Sequence, residues 1–226
     1  MASRYHGLIG IARGHAGRRK RLLQTLAHTI GANGVFVAFA VAAESARCHG
    51  GTDLLTEWRS AAACERRQSK PDGYGCYVRG GLAHGFFLEY DRGTEPTRRY
   101  AAKFRAYYHY RDSGQARRDY DGFPTILFVT NRQVAEHRIA EESYRSWSLQ
   151  NTEPLPILTT TTQRIADHPE GILEPIWRTP AASPSVAAPS RRYWLPGGPP
   201  ARSFGRRRDA SPNNAARYGI RDRWGW

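Results

Sequence analysis

Asp72, Glu89 and Asp91 are the acids of this chain whose spacing suits chemistry. They belong to the segment Lys70 to Asp91, which reads as a β-hairpin turning at Gly80-Gly81. Two glycines between aromatic and β-branched runs are a strong hairpin signal, because the two-residue turns that match strand twist need positive φ. With that turn Asp72 falls opposite Glu89. Strand side chains alternate faces, so Glu89 and Asp91 share a face with Asp72, while Phe86, Leu88 and Tyr90 point the other way into a core. Like charges facing each other destabilise a sheet. A divalent metal held by carboxylate oxygens, Mg²⁺ or Mn²⁺, would relieve that repulsion, with Asp72, Glu89 and Asp91 as ligands. The same acids also suit a solvated sheet face, with Arg79 and Arg92 as counter-ions.

The surrounding elements must hold this hairpin in place. Residues 16–30 read as a short basic helix stopped by Gly31. A second, largely apolar helix follows from Asn33 or Gly34 to about His49. Leu54 to Arg59 reads as a strand. After Asp91, Thr94 is the expected N-cap and Pro96 stands in the first turn of a helix reaching about Tyr110. Tyr100, Phe104, Tyr107 and Tyr108 recur at helical spacing and would dock that helix on the sheet. Residues 111–123 read as a charged loop. Pro124 to Thr130 is a buried strand by its continuous apolar run. A helix from about Gln133 to Ser148 and a strand over Pro156 to Thr159 complete an α/β pattern.

Charge is distributed unevenly. The formal net charge is +14, and 40% of residues are hydrophobic, enough for one folded α/β domain. The first thirty residues carry Arg4, Arg13, Arg18, Arg19, Lys20 and Arg21 and no acid. Residues 181–226 carry nine Arg against Asp209 and Asp222. This predicts a basic arm or short helix over 1–30, a nearly neutral α/β domain over 31–180, and a disordered Arg/Pro-rich tail over 181–226. Basic ends suit contact with a DNA backbone without sequence reading, through Arg18, Arg19, Lys20, Arg21, Arg206, Arg207 and Arg208.

Other chemistries lack their signatures. Cys48, Cys64 and Cys76 are odd in number and have no CxxC spacing, so neither a disulfide framework nor a zinc site is indicated, and a reduced cytoplasm fits. The apolar run Gly34 to Ala43 is too short to span a bilayer, which predicts a soluble protein with no membrane partner. The eight His are scattered without ligand spacing, and no Walker loop or Ser/His/Asp order occurs.

Two resemblances add to this reading. The element order, with Pro71-Asp72 and then Glu89-Tyr90-Asp91 one strand later, resembles the PD-(D/E)XK nuclease superfamily. That likeness implies a restriction-endonuclease-like core, a mixed β-sheet flanked by helices. It also implies that Asp72 and Glu89 bind Mg²⁺ beside a catalytic lysine. Asp91 stands where that lysine is expected, and Lys103 on the following helix is the candidate replacement. More narrowly, Trp58-Arg59-Ser60, Lys70-Pro71-Asp72-Gly73-Tyr74, Gly85 to Glu95 with the phrase Phe87-Leu88-Glu89-Tyr90-Asp91-Arg92-Gly93-Thr94-Glu95, and Lys103-Phe104 are similar to the replication-relaxation family of bacterial plasmids and mobile elements. The similarity runs over about residues 26–178 and implies a DNA-associated role in plasmid replication or relaxation, with replication or mobilisation proteins as partners. Many members begin with a winged helix-turn-helix. The chain has no room for one before residue 30, so it resembles a shortened member, with Arg4 to Gly10 as a remnant of the wing.

Two functional classes follow. One is a metal-dependent phosphodiesterase using Asp72, Glu89 and Lys103. The other is a non-catalytic DNA-binding or scaffold protein on a degenerate nuclease fold.

Overall fold

The computed structural model describes residues 3–66, 69–150, 152–168, 171–173, 175–180 and 192–193, with side chains from Gly17 onward in the first helix and none at 192–193. Helix α1 (Ser3–Cys48) leads into strand β1 (Leu54–Ser60) and a single turn, α2 (Ala61–Cys64). The hairpin is β2 (Gly73–Arg79) and β3 (Leu82–Asp91). Then come α3 (Thr97–Asp112), α4 (Gln115–Tyr120), β4 (Thr125–Thr130), α5 (Gln133–Ser148), β5 (Ile157–Thr161) and α6 (Thr162–Asp167). A 3₁₀ turn (Gly171–Leu173) and two short strands, β6 (Trp177–Arg178) and β7 (Arg192–Tyr193), follow.

The strands form one mixed sheet in sequential order. β1, β2 and β3 are antiparallel, β3, β4 and β5 are parallel, and β6 and β7 return antiparallel. The parallel pairs are joined through helices, as parallel connections require. The fold is therefore mixed α/β, a sheet flanked by helices on both faces.

Gly80 and Gly81 take φ of 56° and 77°, so the hairpin turns where the glycine pair requires. Gly73 pairs with Leu88 and Arg79 with Leu82. Alternation along β3 then sorts two cores. Phe86 and Leu88 join Val35, Phe36 and Phe39 of α1, together with Val129, Ile172 and Trp177. On the other face Phe87 meets Tyr100, Phe104, Tyr107, Ile126, Phe128 and Ile139 beneath α3 and α5.

The structure differs from the sequence expectations in four places. α1 does not break at Gly31. A Cβ there would lie 2.2 Å from the Tyr90 ring, so this glycine lets the helix approach β3 and does not end it. The unbroken helix also spans Arg4 to Gly10, which is helical and not a wing. Within it Gly17–Cys48 is long and apolar enough to cross a membrane by length and composition alone, longer than the ten-residue run read from sequence, although its Phe36 and Phe39 face lies on the sheet. Second, α3 begins at Thr97 with Pro96 as its flanking residue, later than Thr94 suggests. Third, the expected loop at 111–123 contains α4, bounded by left-handed Gly114 and Asp121 and anchored where Tyr120 meets Tyr74 and Phe87. Last, β7 falls within the stretch read as tail, its backbone paired with β6. Arg206, Arg207 and Arg208 lie outside the described residues.

Candidate active site

The hairpin register delivers Asp72 to the end of β2. Its backbone N–H donates to the Leu88 carbonyl at 2.9 Å, one step beyond the last ladder pair, so Asp72 stands across from Glu89. Its carboxylate is fixed on two sides. Oδ2 accepts the Tyr90 N–H at 2.8 Å, and Oδ1 lies 2.9 Å from Nε2 of His28 on α1. The hydrogen bond to Asp72 raises the His28 pKa against the opposing effect of burial, so the imidazole favours its charged form.

Glu89 is 1% exposed and faces α3, opposite to Phe86 and Leu88. Lys103 Nζ donates to its Oε2 at 2.6 Å, and the Tyr107 hydroxyl donates to Oε1 at 2.5 Å. Tyr100, Lys103 and Tyr107 are spaced i, i+3 and i+7, so one face of α3 presents all three to the acids of β3. Burial, aided by the nearby Asp72 charge, pushes the Glu89 carboxyl up to about 7, against the pull of Lys103 and the Tyr107 hydrogen bond. Burial opposes the Lys103 ammonium, but Glu89, Asp72 and Glu95 outweigh it and raise its pKa. Glu95 stands 3.7 Å from Lys103 Nζ, and its buried Oε2 has no hydrogen-bond partner.

Asp91 shares the Glu89 face but is occupied otherwise. It accepts the Gly93 N–H at 2.8 Å on one oxygen and the Tyr100 hydroxyl on the other, which makes it a latch between β3 and α3. The expected three-carboxylate metal set is therefore not assembled. Among the described residues no three His, Cys, Asp or Glu side chains are arranged to hold an ion. What converges instead is Asp72, Glu89 and Lys103, with His28, Tyr107 and Glu95 around them. The solvated-face reading also fails, since Glu89 and Asp91 are buried and Arg79 turns to Asp53 at 3.5 Å.

Sequence reasoning missed His28, Tyr107 and Glu95. The tyrosine had a signal: a hydroxyl on an aromatic stripe, four residues from a lysine and on the helix that follows an acidic strand. His28 had none, because its contact with Asp72 depends on how α1 crosses the sheet. Of the basic residues expected to meet DNA, Arg18, Arg19, Lys20 and Arg21 are exposed on α1.

Comparison with curated proteins and with solved structures finds no match to this chain. The family model described as replication-relaxation matches residues 9–126, from α1 through the hairpin and α3 to the start of β4. It starts earlier and stops sooner than the resemblance in sequence, and it contains Asp72, Glu89, Asp91 and Lys103. By that match, which covers more than half of its residues, the chain belongs to the replication-relaxation family, with the role in plasmid replication and relaxation that the family suggests.

Proposed function

We propose that the protein is a Mg²⁺- or Mn²⁺-dependent DNA phosphodiesterase of plasmid replication or relaxation, built on a restriction-endonuclease-like core. The observation that carries this reading is the Lys103 ammonium 2.6 Å from Glu89, on the helix after β3. It provides beside the acids the cation that position 91 on the strand does not.

The donor set fits such an ion. Asp72 and Glu89 offer hard carboxylate oxygens, and Mg²⁺ commonly takes one or two carboxylates and completes its shell with water and substrate phosphate. A site of two protein ligands is consistent with the lack of a three-residue group. The unpartnered Glu95 oxygen beside Lys103 leaves an acceptor for an ordered water. Bound there, the ion would polarise the phosphate and lower the pKa of a coordinated water.

The chain's own residues have separable tasks. Tyr107 holds the Glu89 carboxylate in one orientation, and His28 with the Tyr90 N–H does the same for Asp72. Lys103 remains protonated and hydrogen-bonds a phosphate oxygen or the attacking water. In hydrolysis the water oxygen bonds to phosphorus, the ester P–O bond breaks, and the water proton ends on the departing alkoxide. DNA backbone, with replication or mobilisation proteins, is the expected partner, and the free cysteines accord with a cytoplasmic setting.

A non-catalytic DNA-binding role is the second reading, favoured by one observation: Lys103 already balances Glu89 without any metal. Cleavage of supercoiled, linear and single-stranded DNA in Mg²⁺ and Mn²⁺ tests the choice. Metal-dependent cleavage lost in Glu89→Gln and reduced in Lys103→Ala is expected. No cleavage of any substrate, or equal cleavage by Glu89→Gln, would leave the binding role.

A further inference from the structure

Beside the acid and lysine cluster, α1 and the residue after β3 border an open surface cleft of ≈ 430 Å³ lined by Arg19, Lys20, Leu23, Gln24 and Arg92. Three of its five residues are cationic and none is acidic. The first acid in the chain is Glu44, near the far end of α1. Arg92 follows Asp91 directly, and its guanidinium donates to the Gln24 carbonyl at 3.4 Å, which ties the loop to the helix. Leu23 is 55% exposed between the charges.

The cleft is aligned with the site. Lys20, Gln24 and His28 are spaced at four-residue intervals and so share one row on α1. At 1.5 Å rise per residue, Gln24 and Lys20 lie about 6 and about 12 Å along the axis from His28. His28 is bonded to Asp72. A polyanion in the cleft would therefore run along the helix toward the carboxylates. A polymer with regularly spaced negative charge and apolar faces between them matches this succession of cations with Leu23 among them.

We infer that this cleft seats the sugar-phosphate backbone of the DNA strand flanking the phosphate at Asp72 and Glu89, with Arg92, Arg19 and Lys20 as the phosphate contacts. The inference rests on DNA, cleaved or only bound, being the ligand of that site, and it moves the main contacts from two basic ends to one helix face and the β3 loop.

The test is fluorescence anisotropy of a labelled twenty-nucleotide single strand and of its duplex, in EDTA, over a salt series. Arg92→Gln and Lys20→Gln should each weaken binding severalfold and reduce the slope of log affinity against log salt by about 0.7 to 0.9. Arg105→Gln, exposed on α3 across the sheet, should match wild type. Whichever nucleic acid loses more identifies the form of strand bound. Because no metal is present, the result is independent of catalysis: a protein that never cleaves but binds through Arg92 contradicts the phosphodiesterase reading and sustains this one. Unchanged affinity and slope in both cleft variants would overturn it, even for an active nuclease. So would a loss confined to binding of anionic phosphatidylglycerol vesicles, with oligonucleotide binding intact.

Discussion

Two buried glutamates, Glu136 on α5 and Glu89 on β3 beneath α3, divide this molecule into a part that holds and a part that is poised. Glu136 on α5 is 4% exposed and saturated: Arg164 meets both its oxygens at 2.6 Å, and the Thr159 hydroxyl adds a bond at 3.1 Å. Glu89 is buried still more deeply, yet it has one ammonium, one phenol and a second carboxylate, Asp72, nearby. A planar guanidinium satisfies a carboxylate in both geometry and charge. Even with His28 on Asp72, three carboxylates, Asp72, Glu89 and Glu95, surround the one lysine, and that excess of acid is what a divalent ion would use. Burial alone therefore does not separate structural from functional acids; the number and kind of their partners does.

The largest expected effect breaks the structural half. Glu136→Ala leaves the half-buried Arg164 guanidinium without its carboxylate; loss of one partner from a fully buried pair costs about 3–5 kcal/mol, and this pair should approach the lower end of that range. Urea unfolding should show it as a large drop in midpoint. Glu89→Gln should cost far less, because it also removes repulsion from Asp72. If the two substitutions destabilise equally, the distinction fails.

pH sharpens the same contrast. The folded Glu89 carboxyl, raised to about 7, binds its proton more tightly than the unfolded one. Its stabilising contribution is complete below the unfolded carboxylate range and is lost as pH rises through about 7. His28, also raised, acts in the same direction, its contribution present below the unfolded imidazole pKa and lost through the folded one. Without metal, the melting temperature of wild type should therefore fall relative to Glu89→Gln between pH 5 and pH 8 (both about these values). A constant difference would show that Glu89 does not titrate there.

Smaller effects test how α1 is seated over the site. Gly31→Ala would drive a methyl into the Tyr90 ring and should cost about 1–3 kcal/mol, with Asp72 disturbed through the Tyr90 N–H. Gly34→Ala, three residues on, meets nothing within 4 Å and should stabilise the helix by about 0.5–1 kcal/mol. Thermal melts of the two variants should move in opposite directions.

These contrasts also mark how far the sequence could be read. The hairpin register was legible because Gly80-Gly81 admits few turns, and with it the placement of Asp72 across from Glu89. α5 was legible from end to end as the next helix of the α/β alternation, and the buried strand β4 from its apolar run. Gly31 misled, since a glycine that ends a helix and one that lets a ring approach look alike without the partner strand. α4 was hidden because six residues, three of them charged, show no period, and what holds it is tertiary: Tyr120 against Tyr74 and Phe87, and Asp119 accepting from Tyr110 and Arg66. The site was half visible: its acids were local to one hairpin, but His28 arrives from a helix more than forty residues earlier in the chain. Asp91 looked equivalent to Glu89 by alternation. Its capture by Gly93 and Tyr100 is a tertiary event that strand spacing does not report.

The most direct test of the central claim is calorimetric titration of Mn²⁺ into the metal-free protein above pH 7, where Glu89 is ionised, for wild type, Glu89→Gln and Arg105→Gln. One ion should bind per chain in wild type and in Arg105→Gln, more weakly as pH falls below about 7, and none should bind to folded Glu89→Gln. Absence of binding in wild type, or the same affinity in Glu89→Gln, would show that Lys103 completes a structural ion pair and that the cluster is no metal site.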